Sequence, residues 1–284
     1  MNILIAGSTG YLGSYIVKES LQRQLNFRAL ARNTEKLKML GLHSSQIIEA
    51  QVTDPQSLKG CCEGIDVVIS TVGITRQQDG LSYMDVDYQA NKNLLEEALR
   101  SGVQKFIYVS VLHGEELQHL EICAAKERFV EELQHSGLEY CIIRPSGFFS
   151  DIKEFYQMAE SGRVYLLGDG QVRLNPIHGA DLAEVCIDAI GQKEEVLEVG
   201  GNELFTQQEI AELAFQVVQK PVKITFVPNW IRKVLLFLAA LLMNKTRYGP
   251  LEFLLHVSVM DMAAPRYGRH RLQDFFIQLK KLSS

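Results

Sequence analysis

Short apolar runs alternate with segments of helical spacing through the first half of the chain. Asn2–Ala6 is a near-continuous apolar run, the pattern of a strand buried on both faces. Ser14–Gln24 follows at helical spacing, with Ile16, Val17 and Leu21 on one face. Phe27–Ala31, Gln46–Val52, Asp66–Ser70, Lys105–Ser110 and Tyr140–Arg144 read as further strands. The runs DVVIS and KFIYVS are the richest in β-branched and aromatic residues. Between them, Glu35–Leu40, Gln56–Cys62, Tyr88–Ser101 and Glu121–His135 read as helices. Asn33-Thr34 starts the first of these, and Asp54-Pro55 opens the second, the Asp placed to cap and the Pro preset for the first turn. This alternation predicts an α/β fold, a doubly wound parallel sheet joined by right-handed crossovers.

After Pro145 the rhythm loosens. Phe148–Asn175 holds glycines and aromatics without a firm period, as a segment covering an active site would. Asp181–Ile190 returns to helix, Val196–Val199 to strand, Gln207–Gln219 to helix and Val222–Val227 to an alternating strand. The expected organisation is a core domain of residues 1–147, also receiving about 176–200, and a smaller, mostly helical substrate subdomain of residues 148–175 and 201–284. From Pro228 the chain is helical and apolar, and Val234–Met243 is far short of the ~20 residues that span a bilayer. Arg232 and Lys233 precede that stretch, and Lys245 and Arg247 follow it. A buried helix covering the substrate pocket is the preferred expectation; a helix lying in a membrane interface through 232–247 is the other. Leu251–Met262 continues the apolar character, which adds a homodimer contact as a third reading.

Bulk properties narrow the classes of partner. The chain is 46% hydrophobic and 22% charged, the balance of a packed globular protein rather than a disordered one. With a net charge of -5 and no dense Lys/Arg stripe, it lacks the cations that a nucleic-acid groove needs to replace phosphate counterions. Five cysteines, Cys61, Cys62, Cys123, Cys141 and Cys186, have no CxxC spacing. They fit neither a disulfide framework nor a metal site, and are expected to be buried reduced thiols of a cytoplasmic protein. MNILIAG has no basic leader region before its glycine turn, so it does not read as a signal peptide.

The clearest chemical signal is Gly7-Ser8-Thr9-Gly10-Tyr11-Leu12-Gly13, between the first strand and the first helix. In such a loop the glycines serve a tight turn, close backbone approach to a pyrophosphate, and close helix–strand packing. The helix N-terminus beyond it offers N–H groups and a positive dipole end to phosphates. The loop therefore predicts a dinucleotide-binding Rossmann domain. At the end of the second strand, where an acid would bond the ribose 2′-hydroxyl of NAD, the chain has Arg32. A planar guanidinium suits a 2′-phosphate, so NADP is the expected cofactor, with NAD less favoured.

Several segments taken together resemble the atypical short-chain dehydrogenase/reductases. They are GSTGYLG, the Arg after the second strand, STVG at Ser70–Gly73, YVSV at Tyr108–Val111, AAKERFVEELQHSGLEYCIIRPSGFF, and NPIHGADLA. The nearest branches are the NmrA-like and isoflavone-reductase-like ones, and the resemblance covers about Met1–Ile190. It implies an NAD(P)-binding Rossmann domain with Thr71 and Gly73 at the cofactor. The wider superfamily uses a Tyr-x-x-x-Lys pair and an upstream Ser; here Lys126 matches the Lys and Ser110 the Ser, but Ile122 stands at the Tyr position. Isoleucine cannot exchange a proton, so ordinary alcohol–ketone hydride transfer loses its acid. In the isoflavone-reductase-like branch the resembling Lys takes the proton-transfer role. Lys126 either does so, if burial lowers its pKa toward neutrality, or only holds the nicotinamide ribose.

Other positions carry two readings each. The resembling Gly-Asp after the third strand is Ala50-Gln51 here, and Asp54 reads as a helix cap. His113, beyond the Ser110 strand, is a stand-in acid or a solvated loop histidine. The resemblance puts His178 near the substrate pocket; its plain reading is a polar turn capped by Asp181. Phe148 and Phe149 line an apolar substrate cleft or belong to the core. The expected function is an NADP(H)-dependent oxidoreductase reducing a small apolar or conjugated substrate. The alternative is a non-catalytic NAD(P)-binding redox sensor or assembly factor with a protein partner.

Overall fold

The structure, a computed structural model, describes residues 1–74 and 80–283. The chain divides into two compact units, Met1–Arg144 with Leu182–Leu197, and Pro145–Asp181 with Glu198–Ser284. The elements in chain order begin with β1 (Asn2–Ala6), α1 (Tyr11–Gln22), β2 (Asn26–Ala31), α2 (Glu35–Met39) and β3 (Ile47–Glu49). They continue through β4 (Val67–Ser70), α3 (Asn91–Arg100), β5 (Lys105–Val109), α4 (Glu121–Gln134) and β6 (Glu139–Pro145). Next come α5 (Phe149–Glu160), β7 (Val164–Leu167), β8 (Arg173–Leu174), α6 (Gly179–Asp188), β9 (Val196–Gly201) and β10 (Phe205–Thr206). Last are α7 (Gln207–Val218), β11 (Ile224–Val227), α8 (Asn229–Leu242), α9 (Lys245–Val257), β12 (Arg266–Tyr267) and α10 (Leu272–Ser283).

The main sheet has eight strands in the order β12-β9-β6-β5-β4-β1-β2-β3. From β6 to β3 every pairing is parallel, as is that of β9 with β12. The reversal of direction at β1, with β2 on one side and β4 on the other, makes the doubly wound order that sequence periodicity predicts. It also places a ligand crevice at the carboxyl ends of β1 and β4. Ile3, Leu4, Ile5, Val68, Ile69, Phe106 and Ile107 are all buried, which is why these strands read as continuous apolar runs rather than alternating ones.

Three expected elements differ. Residues 56–62 form successive turns, with Ser57 N–H donating to Asp54 O and Leu58 N–H to Pro55 O, not an α-helix. Gly60, at φ +80, cannot continue an α-helix. The helix expected from Tyr88 is preceded by a π-helical stretch, Met84–Ala90, that runs into α3. There the buried Asn91 side chain donates to the carbonyls of Val86 and Asp87, competing for acceptors of the regular ladder. Phe148–Asn175, read as irregular, contains α5 and β7. Its helix buries Phe149, Ile152, Tyr156 and Ala159 against Ile210, Ala211, Ala214 and Phe215 of α7 in the second unit's own core.

The preferred reading of the apolar C-terminal helix is overturned. Of α8 only Ala239 is buried, while Phe237 is 65% exposed and Leu242 81%. α8 packs against α9, and that packing leaves its large apolar side chains largely outside the core. No described helix is long and apolar enough to cross a membrane. All five cysteines are buried free thiols, as expected from their spacing.

Candidate functional site

The site is built by the turn between β1 and α1. Gly7 has φ +76, and a Cβ there would lie 2.5 Å from the Thr71 hydroxyl and 2.9 Å from its backbone carbon. Gly10 N–H donates to Gly7 O at 2.9 Å, and a Cβ on Gly13 would lie 2.1 Å from that same oxygen. Each glycine thus lets one backbone segment approach another more closely than any side chain would allow. Gly10 is the N-cap of α1, with no side chain capping it, so the helix opens toward the crevice through backbone groups.

Gly7, Thr9, Gly10, Arg32, Thr71 and Gly73 line a cleft of about 310 Å3. The other expected residues of the loop support it from behind. The Ser8 hydroxyl is fully buried and donates to Leu30 O at 2.7 Å, tying the turn to β2. Leu12 and Gly13 are buried in α1, and Tyr11 packs edge-on to Tyr15. Arg32 is exposed at the rim. Ala50, Gln51, Val52 and Thr53 complete that wall, where Gln51 Nε2 donates to the Thr53 hydroxyl at 2.8 Å. Asp54 accepts from Gln56 N–H at 3.0 Å and closes an Asx turn; with no helix after it, the helix-cap reading is corrected.

The three expected catalytic residues are drawn to three different acids. Lys126 Nζ lies 2.9 Å from Asp87 Oδ1 and above the Tyr108 ring at 5.7 Å from its centroid. Asp87 is fully buried, and its other oxygen accepts from Ile74 N–H at 3.2 Å. A Cβ on Gly73 would meet both Asp87 Oδ1, at 2.6 Å, and Lys126 Nζ, at 2.9 Å, so the pair stands directly behind the wall of the cleft. Burial disfavours the Lys126 ammonium, but the Asp87 carboxylate more than offsets this and holds its pKa above the ordinary value. The condition for proton exchange by Lys126 near neutrality, a pKa lowered by burial, is not met beside Asp87. The Ser110 hydroxyl donates to Glu127 Oε1 at 3.0 Å, within a buried group where Arg144 grips both Glu127 oxygens at 2.7 Å. His113, at φ +56 in the turn beyond β5, pairs with Glu116 at 3.3 Å.

In the second unit, Phe149 is 3% exposed and lies in the core rather than in the wall of an open cleft. Phe148 is half-buried and bridges to Ile177. His178 stacks on His270 with centroids 4.2 Å apart and meets the Phe149 ring edge-on. Its Nδ1 accepts from Ala180 N–H at 3.2 Å. Burial first, then the neighbouring His270, lowers its pKa to about 4 against a partial pull from Asp181. Asp181 accepts from His270 Nδ1 at 2.7 Å and from the backbone N–H groups of Arg269 and His270. This fixes the segment after β12 on the turn before α6.

The glycine cradle and its cleft coincide with the match to a protein family, whose NAD(P)H-binding model covers residues 7–193. The chain belongs to this NAD(P)H-binding family. Its Rossmann-type sheet and its relatives agree with the resemblance to atypical short-chain dehydrogenase/reductases. It is 27% identical to the chloroplastic divinyl chlorophyllide a 8-vinyl-reductase of Arabidopsis thaliana, over 98% of this chain and 76% of that protein. It is 28% identical to the photosystem II assembly factor Ycf39 of Cyanophora paradoxa, over 80% of this chain and 72% of the relative. The NADPH-dependent quinone oxidoreductase of Escherichia coli, solved with NADPH, shares the fold with a TM-score of 0.72 at 18% identity, covering 98% and 99% of the two chains.

For an NAD(P)H-binding protein the residues present fit the cofactor. Gly7, Gly10 and Gly73 line the cleft with backbone, and a Cβ on Gly7 or Gly73 would collide with Thr71 or with the Lys126–Asp87 pair. What sequence reasoning missed is Asp87, the partner of Lys126. The available signal was its phase: Asp87, Asn91, Leu94 and Ala98 recur on the buried side of one helical period. Two polar residues on such a face mark a buried network. Asn91 confirms it by bonding to the Ser70 hydroxyl and to Val72 O.

Proposed function

We propose that this chain is an NADP(H)-dependent reductase acting on a conjugated C=C bond of an apolar substrate. The observation that carries this is the buried Lys126–Asp87 pair standing behind Gly73 at the wall of the glycine-lined cleft. Arg32 at the rim supports NADP over NAD, since its guanidinium suits a 2′-phosphate that an acid would repel. Bound NADPH supplies a hydride. Asp87 keeps Lys126 protonated, so the ammonium acts as a fixed donor and positive charge rather than as a neutral base. Ile122 leaves the tyrosine position without an acid. A conjugated acceptor tolerates that better than an isolated carbonyl, because hydride addition spreads negative charge that a nearby cation stabilises. The relative named as a vinyl-reductase, similar along nearly the whole chain, supports the same class of bond.

A second reading is a cofactor-binding assembly factor, supported by the likeness to Ycf39 and by Ile122 at the tyrosine position. NADPH oxidation with a panel of enones, quinones and vinyl-substituted tetrapyrroles separates the two. For the reductase, Lys126→Met lowers kcat by about a hundredfold, the scale of losing one preorganised donor to a developing anion. Turnover unchanged at saturating NADPH would exclude Lys126 from the chemistry. Tight NADPH binding without oxidation against the whole panel would favour the assembly factor.

A further inference from the structure

The helix α8 carries a stripe of exposed apolar side chains. Trp230, Val234, Phe237, Leu238 and Leu241 recur at helical spacing on one side, and all five are exposed, as are Leu235 and Leu242 beside them. A helix burying only Ala239 while showing this stripe to solvent bears an apolar face that no described residue covers. The stripe lies within a stretch that holds cations and no acid. Between Pro228 and Leu251 there are four cations, Arg232, Lys233, Lys245 and Arg247, and no Asp or Glu, in a chain whose net charge is -5. Arg232 donates to Asn229 Oδ1 at 2.7 Å and reaches Leu255 O of α9 at 3.4 Å, on the side of the helix away from the stripe. Lys233 and Arg247 are exposed. The chain's single tryptophan, Trp230, sits at the start of the helix, where an amphipathic ring suits a headgroup boundary.

We propose that α8 docks the protein onto the surface of an anionic lipid bilayer, lying in the interface with this stripe among the acyl chains. At ~1.5 Å per residue the helix is about 21 Å long, too short to cross the ~30 Å hydrocarbon core, but suited to lie along its edge. Charge selects the occupant: cations beside an apolar face attract phospholipid headgroups, and no acid in the stretch opposes them. A second copy fits less well. Two such faces would bring like charges together.

The test is co-sedimentation of the full chain with vesicles of equal parts phosphatidylcholine and phosphatidylglycerol, and with phosphatidylcholine alone. Trp230 emission reports insertion. The expected result is sedimentation with the anionic vesicles, a blue shift of Trp230, and weaker binding to the neutral ones. Phe237→Glu together with Leu241→Glu, both at exposed positions, should abolish binding with the far-UV spectrum and melting temperature unchanged. Lys233→Ala keeps the apolar face and should weaken anionic binding about fivefold, the loss expected for one surface cation. Absence of sedimentation with anionic vesicles, or equal binding to both vesicle types, overturns the proposal. So does a solution dimer that Phe237→Glu dissociates while the wild type ignores lipid.

Discussion

Arg32 stands exposed at the end of β2, on the rim of a cleft whose described lining residues include no acid. The nearest acid in sequence, Glu35, is occupied by Lys38 at 2.8 Å. A guanidinium there distinguishes the cofactors through one phosphate, so Arg32→Ala should weaken NADPH binding about tenfold to a hundredfold and leave NADH nearly unaffected. Calorimetric titration of both cofactors checks this, and equal losses for the two would remove Arg32 from cofactor choice. His178 makes a different prediction at the same scale. Burial and the stacked His270 favour its neutral ring and lower its pKa to about 4 from an ordinary 6.5. Unfolding therefore takes up a proton between those values. The contribution to stability is complete above about pH 6.5 and is lost as pH falls toward 4. Its size is on the order of 1–3 kcal/mol. Urea midpoints measured across that range should fall more steeply for the wild type than for His178→Gln; parallel curves would show that the ring does not titrate with folding.

At the scale of elements, the β1–α1 junction leaves the least room for change. A methyl on Gly13 would sit 2.1 Å from Gly7 O and 2.9 Å from Ser8 Cα, and both are backbone atoms of the turn itself. Relief requires opening the turn, which breaks the Gly10–Gly7 hydrogen bond and withdraws the cradle. Gly13→Ala should cost about 1–3 kcal/mol, the scale of overpacking, and weaken NADPH binding more than tenfold. Gly191→Ala, whose added methyl meets nothing nearer than 4.0 Å, is the control and should do neither. Urea unfolding and cofactor titration read both effects. This junction was legible in the sequence because its determinants are local: an apolar run, spaced glycines and a helix within thirteen residues. The strands β4, β5 and β6 were legible for a related reason, since burial on both faces gives unbroken apolar runs at Val67–Ile69, Phe106–Val109 and Cys141–Ile143. In contrast, α5 was hidden because Phe155 and Met158 blur the stripe of Phe149, Ile152, Tyr156 and Ala159. The pairing of Lys126 with Asp87 spans 39 positions and depends on how α4 meets the Met84–Ala90 stretch, which local periodicity does not encode. The outward face of α8 was misread because an apolar run specifies an unfavourable contact with water but not what relieves it.

At the scale of the whole molecule, each unit holds its own core. Strands β1, β4 and β5 supply that of the first, while α5, α7 and α10 enclose Phe149, Tyr156, Phe215 and Phe276 in the second. The residues lining the glycine cleft all lie between Gly7 and Val86, so the cleft belongs to the first unit. A ligand stabilises what must unfold to release it, by ~2.7 kcal/mol when present at a hundredfold over its Kd. Cooperative units with separate cores open independently in amide exchange. NADPH at that excess should therefore slow exchange of the most protected amides in β1, β4 and β5 by up to about a hundredfold. The amides of α5, α7 and α10 should change little. Hydrogen exchange read by mass spectrometry with and without NADPH makes the comparison within one sample. Equal protection gained in both sets would mean that the two cores unfold as one. Protection gained only around α5 and α7 would place the cofactor away from the glycine turn and remove the basis on which Arg32 and Lys126 were assigned their roles.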